Sequence, residues 1–422
     1  MQAMRIMGEQ FVLGRTVKEA LKRGKRMVKA GEAAHFSFDM LGEGARTAED
    51  AARYLKAYEL AIDAVAAEKD KAVAPEKASG VSVKLSALHP RFEAVNEARI
   101  MNELYPRLLG LCEKAAAANI HLCLDAEEAD RLVLSLKLMD RLAHEPSLKD
   151  WTGLGLAVQA YQKRTLSVIE KLTKLAEETG HRFMVRLVKG AYWDSEIKHA
   201  QVEGFPNFPV FTTKPGTDFH YLACAKLMLE ASPTLYPQFA THNAHTLAAV
   251  DILAEAAGVT DYVHSFLDPD VPVEDVVDDP ITRVEIGPRR HPGIPTPPRL
   301  YGPERRNSTG LDISQKSVRD ATAAALKSFR DSPAITAGAI VSGKAETGGG
   351  EMVRVPFHTE HVLGACKEAS PEAIDKALKA AVKFQPGWDA LGGSKRAEHL
   401  RAMGDILEEN AARLIALMSR EA

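Results

Sequence analysis

Between residues 35 and 243, short apolar runs alternate with longer stretches of helical period, and nothing else in the 422-residue chain constrains its fold as tightly. The runs are 35–40, 80–85, 120–125, 153–160, 182–189 and 238–243, each with a polar residue at its last or next-to-last position. In 47–69, Ala51, Tyr54, Leu55, Tyr58, Ile62 and Val65 recur at three and four residues and share one helical face. Strands alternating with helices imply βα units and a parallel sheet. No GxGxxG follows the first run, which disfavours a dinucleotide-binding Rossmann domain. A (β/α) barrel is the better reading, but six runs stand where a closed barrel has eight strands. The expected fold is α/β, an incomplete (β/α)8-type barrel followed by a helical C-terminal segment.

After residue 243 one more helix is expected at 246–257, then an apolar run at 263–267 that is too short for two strands. An acidic patch (Glu274, Asp275, Asp278, Asp279) precedes a proline-rich linker or wrapping arm, 288–304, that can hold neither ladder nor helix. A second break comes at Gly348, Gly349 and Gly350. Beyond it, 370–383 and 394–420 read as helices, with Ser370 as N-cap and Glu372 in the first turn. The chain thus divides into a helical lead-in (1–34), a barrel part (35–330) and a second part (335–422), with the boundary near 332–340.

Net charge is −3 with both signs interspersed, so nucleic acid is not an expected partner. Cys112, Cys123, Cys224 and Cys366 lie far apart with no CxxC pair, favouring reduced thiols over a disulfide framework or a zinc site. No stretch is long and apolar enough to span a bilayer. The expected location is the cytoplasm, with peripheral contact at the inner face of the membrane left open.

In a parallel barrel, catalytic groups come from the C-terminal ends of strands. Those ends carry Asp39 and Glu43, Lys84 and Ser86, Asp125 with Glu127 and Glu128, Gln159, Arg186 with Lys189, and Thr241, His242 and Asn243. A single polar strand end commonly caps the next helix, whereas six in succession point to one shared mouth. Two chemistries compete. A metal-assisted lyase or isomerase would take Asp125, Glu127 and His242 as ligands and Lys84 as base. A flavin enzyme would set Arg186 and Lys189 as positive charge beside the ring and Gln159 at its edge, with no metal. The two closely spaced cations tilt towards flavin, but spacing alone leaves both open. Plainer roles also compete. Asp125, Glu127 and Glu128 can cap a helix, His242 and His245 can be hydrogen-bonded structure, and Lys84 can be a solvated strand end. Lys22, Arg23, Lys25 and Arg26 read as a solvated helix face, and Cys123 as core.

The stretch FMVRLVKGAYWD (183–194) resembles the signature of the proline dehydrogenases. So do FDMLGEGA (38–45), GVSVKLSALHPRF (80–92), LDAEEADRL (124–132), GLAVQAYQKR (155–164) and QFATHNAHT (238–246), in order and with coherent spacing. RRNSTGLDIS (305–314) is similar to the segment after the barrel in the bifunctional members, and 384–422 to the opening helices of an aldehyde dehydrogenase. The resemblance implies an FAD enzyme that oxidises L-proline to 1-pyrroline-5-carboxylate and passes electrons to a quinone; homo-oligomer formation stays open. It implies that Arg186 lies near flavin N5 and that Lys84 and Asp125 form the charged part of the proline site, Lys84 near the carboxylate. Tyr192 is implied to pack on the substrate ring. Gln159, Lys189, Gly190, Ala191, Thr241 and His242 are implied to hold FAD, Gly190 by letting backbone approach it closely, with Trp193 as an apolar wall. No metal is implied.

The resemblance breaks after Asp261–Tyr262. There the family has further strands and a helix with adjacent arginines that clamp the substrate carboxylate. Arg305 and Arg306 align with a later segment and are not expected to replace that pair. Loss of a bidentate arginine fork would weaken substrate binding severely. Aldehyde dehydrogenase activity is expected to be absent. The chain is expected to be a fragment, a defective copy or a shortened variant, so an impaired remnant stands as the alternative to an active dehydrogenase.

Overall fold

The computed structural model describes residues 12–40, 42, 44–69, 72–241, 243–265, 280–330 and 332–421. They form two compact units, one up to Ser314 and one from Gln315. The first opens with α1 (Val17–Ala30). Thr16 accepts from the Glu19 N–H to cap its start, and Gly31, at φ 78°, ends it in the left-handed conformation.

Seven strands follow among the described residues: β1 (Ser37–Asp39), β2 (Gly80–Val83), β3 (Leu122–Leu124), β4 (Leu154–Gln159), β5 (Phe183–Val188), β6 (Leu235–Ala240) and β7 (Val263–Ser265). Each pairs in parallel with the next in chain order. No register joins β7 to β1 among the described residues, so both edges of the sheet lack a partner strand. Between the strands run α2 (Ala48–Ala66), α3 (Leu85–Leu88), α4 (Glu97–Glu103), α5 (Tyr105–Ala117), α6 (Leu132–Ala143), α7 (Thr165–Thr179), α8 (Trp193–Val202), α9 (Lys214–Glu230) and α10 (Ala244–Ala256), with α11 (Pro280–Ile286) after β7.

The six expected strands are all present, and the run at 263–267 supplies one more. Strands β2 and β4 are buried at every position, as parallel strands covered on both faces are. Helix α2 turns Ala51, Tyr58, Ala61, Ile62 and Val65 inward, and Thr47 with Asp50 closes its start as a capping box. Strand β6 begins three residues before the expected 238. Pro237, a poor ladder residue, lies inside it. The register explains its tolerance: β7 starts opposite Gln238, one residue past the proline, so Pro237 sits where β6 has only β5 beside it. Within the proline-rich arm the only helical element among the described residues is a 3₁₀ turn, Pro297–Arg299. The acidic patch lies outside the described residues.

The second unit holds α12 (Lys316–Arg330), β8 (Ile335–Gly338), β9 (Ile340–Val341), β10 (Lys344–Ala345), β11 (Glu351–Val355), β12 (His358–Lys367), α13 (Pro371–Ala390), α14 (Gly392–Glu409) and α15 (Ala411–Glu421). Its main sheet has the order β11–β12–β8. The unit division precedes the break expected near 332–340 because Phe329 of α12 packs with Val355, Leu363 and Ala416. Ser370 caps α13 by accepting from the Ala373 N–H, as expected. The expected helix 394–420 is interrupted at Asn410, between α14 and α15. Helices α13 and α14 leave Ile374, Leu378, Val382, Leu400, Met403, Ile406 and Leu407 exposed. No helix among the described residues is long and apolar enough to cross a membrane.

Candidate active site

The C-terminal ends of the strands open into one cleft of about 720 Å³. Its walls include Lys84, Asp125, Gln159, Arg186, Lys189, Gly190, Ala191, Tyr192 and Thr241. These nine residues, all singled out from the sequence, line one cleft; Asp39, Ser86, Glu127 and Glu128 do not line it, and Glu43 and His242 lie outside the described residues.

A chain of alternating charge runs from Asp39 on the edge strand β1 into this cleft. The Lys84 ammonium donates to Asp39 Oδ2 at 2.6 Å and to Asp125 Oδ2 at 3.0 Å. Asp125 Oδ1 stands 3.7 Å from the Arg186 guanidinium. Arg186 in turn donates to Ser37 Oγ at 2.8 Å and Ser82 Oγ at 3.2 Å, and the two hydroxyls bond each other at 2.9 Å. Strands β1, β2, β3 and β5 are thereby linked through polar side chains. Burial alone would lower the Lys84 pKa, but Asp125 and Asp39 outweigh it and raise the group above the ordinary lysine value. Lys84 is thus a fixed cation, unsuited to act as a base near neutral pH. Its backbone N–H donates to the buried Tyr58 hydroxyl, which fixes the strand end.

Gln159, 4% exposed at the end of β4, uses both ends of its amide. It donates to the Glu127 carbonyl at 2.8 Å and accepts from the Ala191 N–H at 3.4 Å. It thus ties the loop after β3 to the loop after β5. Thr241 Oγ1 accepts from the Asn243 N–H, and Asn243 caps α10 by accepting from the Thr246 N–H.

Other strand-end candidates serve the scaffold. Glu127 accepts from the Ser86 N–H at 2.9 Å and pairs with Arg131 at 2.5 Å, so it caps the short helix of the preceding βα unit. Glu128 also pairs with Arg131, at 3.1 Å; burial is the main cause that raises its pKa. Neither fits the ligand set of a metal site with Asp125, which already faces two cations. Cys123 is buried, as expected of core. Lys22, Arg23, Lys25 and Arg26 lie on α1, where Lys25 pairs with Glu68.

Residues 20–267 match the profile of the proline dehydrogenase family, and residues 344–422 match that of the aldehyde dehydrogenase family. The chain belongs to the proline dehydrogenase family. It is similar to the bifunctional protein PutA of Escherichia coli strain K12, 37% identical over 494 positions that take in 100% of this chain and 36% of that protein. It is also similar to proline dehydrogenase 1 of Bacillus subtilis strain 168, 26% identical over 251 positions, 58% of this chain and 68% of that one. Among solved structures, a mutant of Bradyrhizobium japonicum proline utilization A matches with TM-score 0.79 at 37% identity, over 99% of this chain and 44% of its own. The chain spans about a third of the length of the curated bifunctional relatives it matches, 36% for the E. coli protein. The 494 aligned positions exceed the 422 residues here by 72, so that many positions of the relative face gaps.

Gly190 and Trp193, both singled out from the sequence, have specific neighbours here. Gly190 has φ 138°, and a Cβ there would stand 2.5 Å from the Tyr161 ring. Tyr161 therefore requires a glycine at this position, whose backbone also lines the cleft. Trp193 donates to the Phe211 carbonyl at 2.8 Å and lines an adjoining cavity of about 360 Å³ instead of the main cleft. Arg305 stacks on Tyr301 and Arg306 bonds Thr309; neither lines the cleft. The sequence reading missed Lys214 and Asp218, because they sit at a helix start and not at a strand end. Asp218 accepts from both Lys189 and Lys214, at 2.5 Å each. The available signal was a cation and a carboxylate four residues apart, directly after the helix cap Thr213.

Proposed function

We propose that this cleft takes up FAD and L-proline, and that the chain oxidises proline to 1-pyrroline-5-carboxylate with a quinone as final electron acceptor. The observation that carries the reading is the meeting of Lys84, Asp125 and Arg186 with Gln159, the 189–191 backbone and Thr241 in one cleft. The space suits an elongated dinucleotide. The cleft shares Lys189, Gly190 and Lys214 with the Trp193 cavity, and Lys214 also borders a cavity of about 290 Å³ with His245 and Arg283. Cationic side chains along such a path suit phosphate oxygens.

FAD, when bound, would supply the hydride acceptor. The protein's own residues do the rest. Lys84, held protonated, grips the substrate carboxylate. Asp125, between two cations, is the complementary group for a secondary ammonium. Arg186, clamped by two serine hydroxyls, presents preorganised positive charge where negative charge develops. Tyr192 covers the substrate ring. Contact with a membrane quinone pool would be peripheral, at the cytoplasmic face.

A visible absorption scan of the purified protein, repeated after adding L-proline, tests the reading. Flavin bands that bleach with proline support it, and a protein that stays colourless even after incubation with FAD overturns it. A second reading is an impaired remnant. It is favoured by the sheet edges left without a partner strand among the described residues and by the position of Arg305 and Arg306 away from the cleft. Flavin bands that proline does not bleach would select it.

A further inference from the structure

We infer that Asp39 masks Lys84 and thereby sets how strongly the cleft holds a carboxylate; this rests on the reading of Lys84 as the carboxylate grip. An ammonium has three N–H donors. Two of those on Lys84 already meet carboxylates, at 2.6 Å on Asp39 and 3.0 Å on Asp125.

The two acids are not equivalent. The Asp125 side chain is 15% exposed, lines the cleft and is answered by Arg186 on its other oxygen. The Asp39 side chain is 45% exposed, stands outside the cleft wall and belongs to the edge strand β1. Asp125 is therefore part of the site's internal balance, while Asp39 brings a second negative charge to the same ammonium from the solvent side. With Lys84 and Arg186 positive and Asp39 and Asp125 negative, the four groups sum to zero. An incoming carboxylate meets a lysine whose charge is already answered. Removing the Asp39 charge leaves the four groups with a surplus of one positive charge. At roughly 5 Å in a largely aqueous dielectric, one charge changes affinity about fourfold. Asp39 is thus a specificity-setting residue that acts through Lys84 and makes no contact with the substrate.

The test uses cyclopentanecarboxylate, a five-membered ring acid with no amine to oxidise. Acetylation of Lys84 by acetic anhydride is followed by mass spectrometry at low ionic strength, and protection by the probe is titrated for wild type, Asp39→Asn and Asp39→Glu. Protection in Asp39→Asn is expected at about one quarter of the wild-type probe concentration, with Asp39→Glu restoring the wild-type value. The neutral cyclopentanecarboxamide should behave alike in all three proteins. Where proline is turned over, Asp39→Asn should lower KM and leave kcat unchanged. Equal or weaker protection in Asp39→Asn overturns the masking role while leaving Lys84 as the grip. No protection in any of the three proteins overturns both.

Discussion

Replacing Lys84 by methionine would keep the length of the side chain and delete its charge, leaving Asp39 and Asp125 to face each other. Breaking a fully buried ion pair costs roughly 3–5 kcal/mol. Here Asp39 is half exposed, and an exposed pair contributes about 1 kcal/mol at most. Asp125 also keeps Arg186 at 3.7 Å. A loss of about 2 kcal/mol is therefore expected, below the fully buried range. For a unit of this size that lowers Tm by roughly 4 °C. The pH dependence separates this from other causes. The folded-state pKa of Lys84 is raised, so its stabilisation is whole below the unfolded lysine value of about 10.4 and is lost only as pH rises beyond it. The difference between wild type and Lys84→Met should stay flat from about pH 6 to about pH 9. Urea unfolding followed by far-UV circular dichroism at three pH values measures it. A difference that closes between about pH 7 and 9 would show a neutral amine and revive Lys84 as a base. A difference below about 0.5 kcal/mol throughout would refute the network's contribution to stability.

Gly190→Ala should destabilise by about 2–4 kcal/mol, from its φ of 138° and the 2.5 Å approach to Tyr161, and unchanged thermal unfolding would contradict that geometry. His121 is buried, and burial, with Arg186 as a lesser cause, pushes its pKa down to about 3. The unfolded chain takes up a proton that the folded one refuses, so stability falls below about pH 6.5, by roughly 2 kcal/mol at pH 5. His121→Leu should remove that contribution from the acid limb of the stability curve. Arg186→Ala should cut proline-dependent dye reduction by at least about tenfold and make bound flavin harder to reduce, read by spectroelectrochemical titration. Changing both Arg305 and Arg306 to Ala should leave KM for proline within about twofold, since a lost charged contact would cost roughly 2–5 kcal/mol; a large rise in KM would mean that these arginines reach the substrate.

The strands were legible because parallel strands covered on both faces are continuous apolar runs, as in the fully buried LGLAVQ of β4. The start of β6 was obscured by Pro237, whose tolerance depends on where β7 begins, a fact of pairing rather than of local sequence. At the site, Lys84, Asp125, Gln159 and Arg186 could be gathered by the strand-end rule alone. What each one touches could not. Glu127 looks like a site carboxylate until its acceptor role for the Ser86 N–H, 41 positions away, is seen. Ser37 and Ser82 carry no signal at all until Arg186 reaches them from the far side of the sheet.

That reach also says when the site comes into being. Arg186 and Ser37 are 149 positions apart, whereas Lys84 and Asp125 are separated by 41. As the chain leaves the ribosome, the lysine–carboxylate half of the network can form once β3 is out, while two serine hydroxyls wait on β1 and β2 for a guanidinium still to be synthesised. Long closures are the slow events of folding. The polar contacts that span the sheet are therefore assembled last, and a nascent chain halted before β5 would hold the Lys84–Asp125 pair without the clamped arginine that completes it.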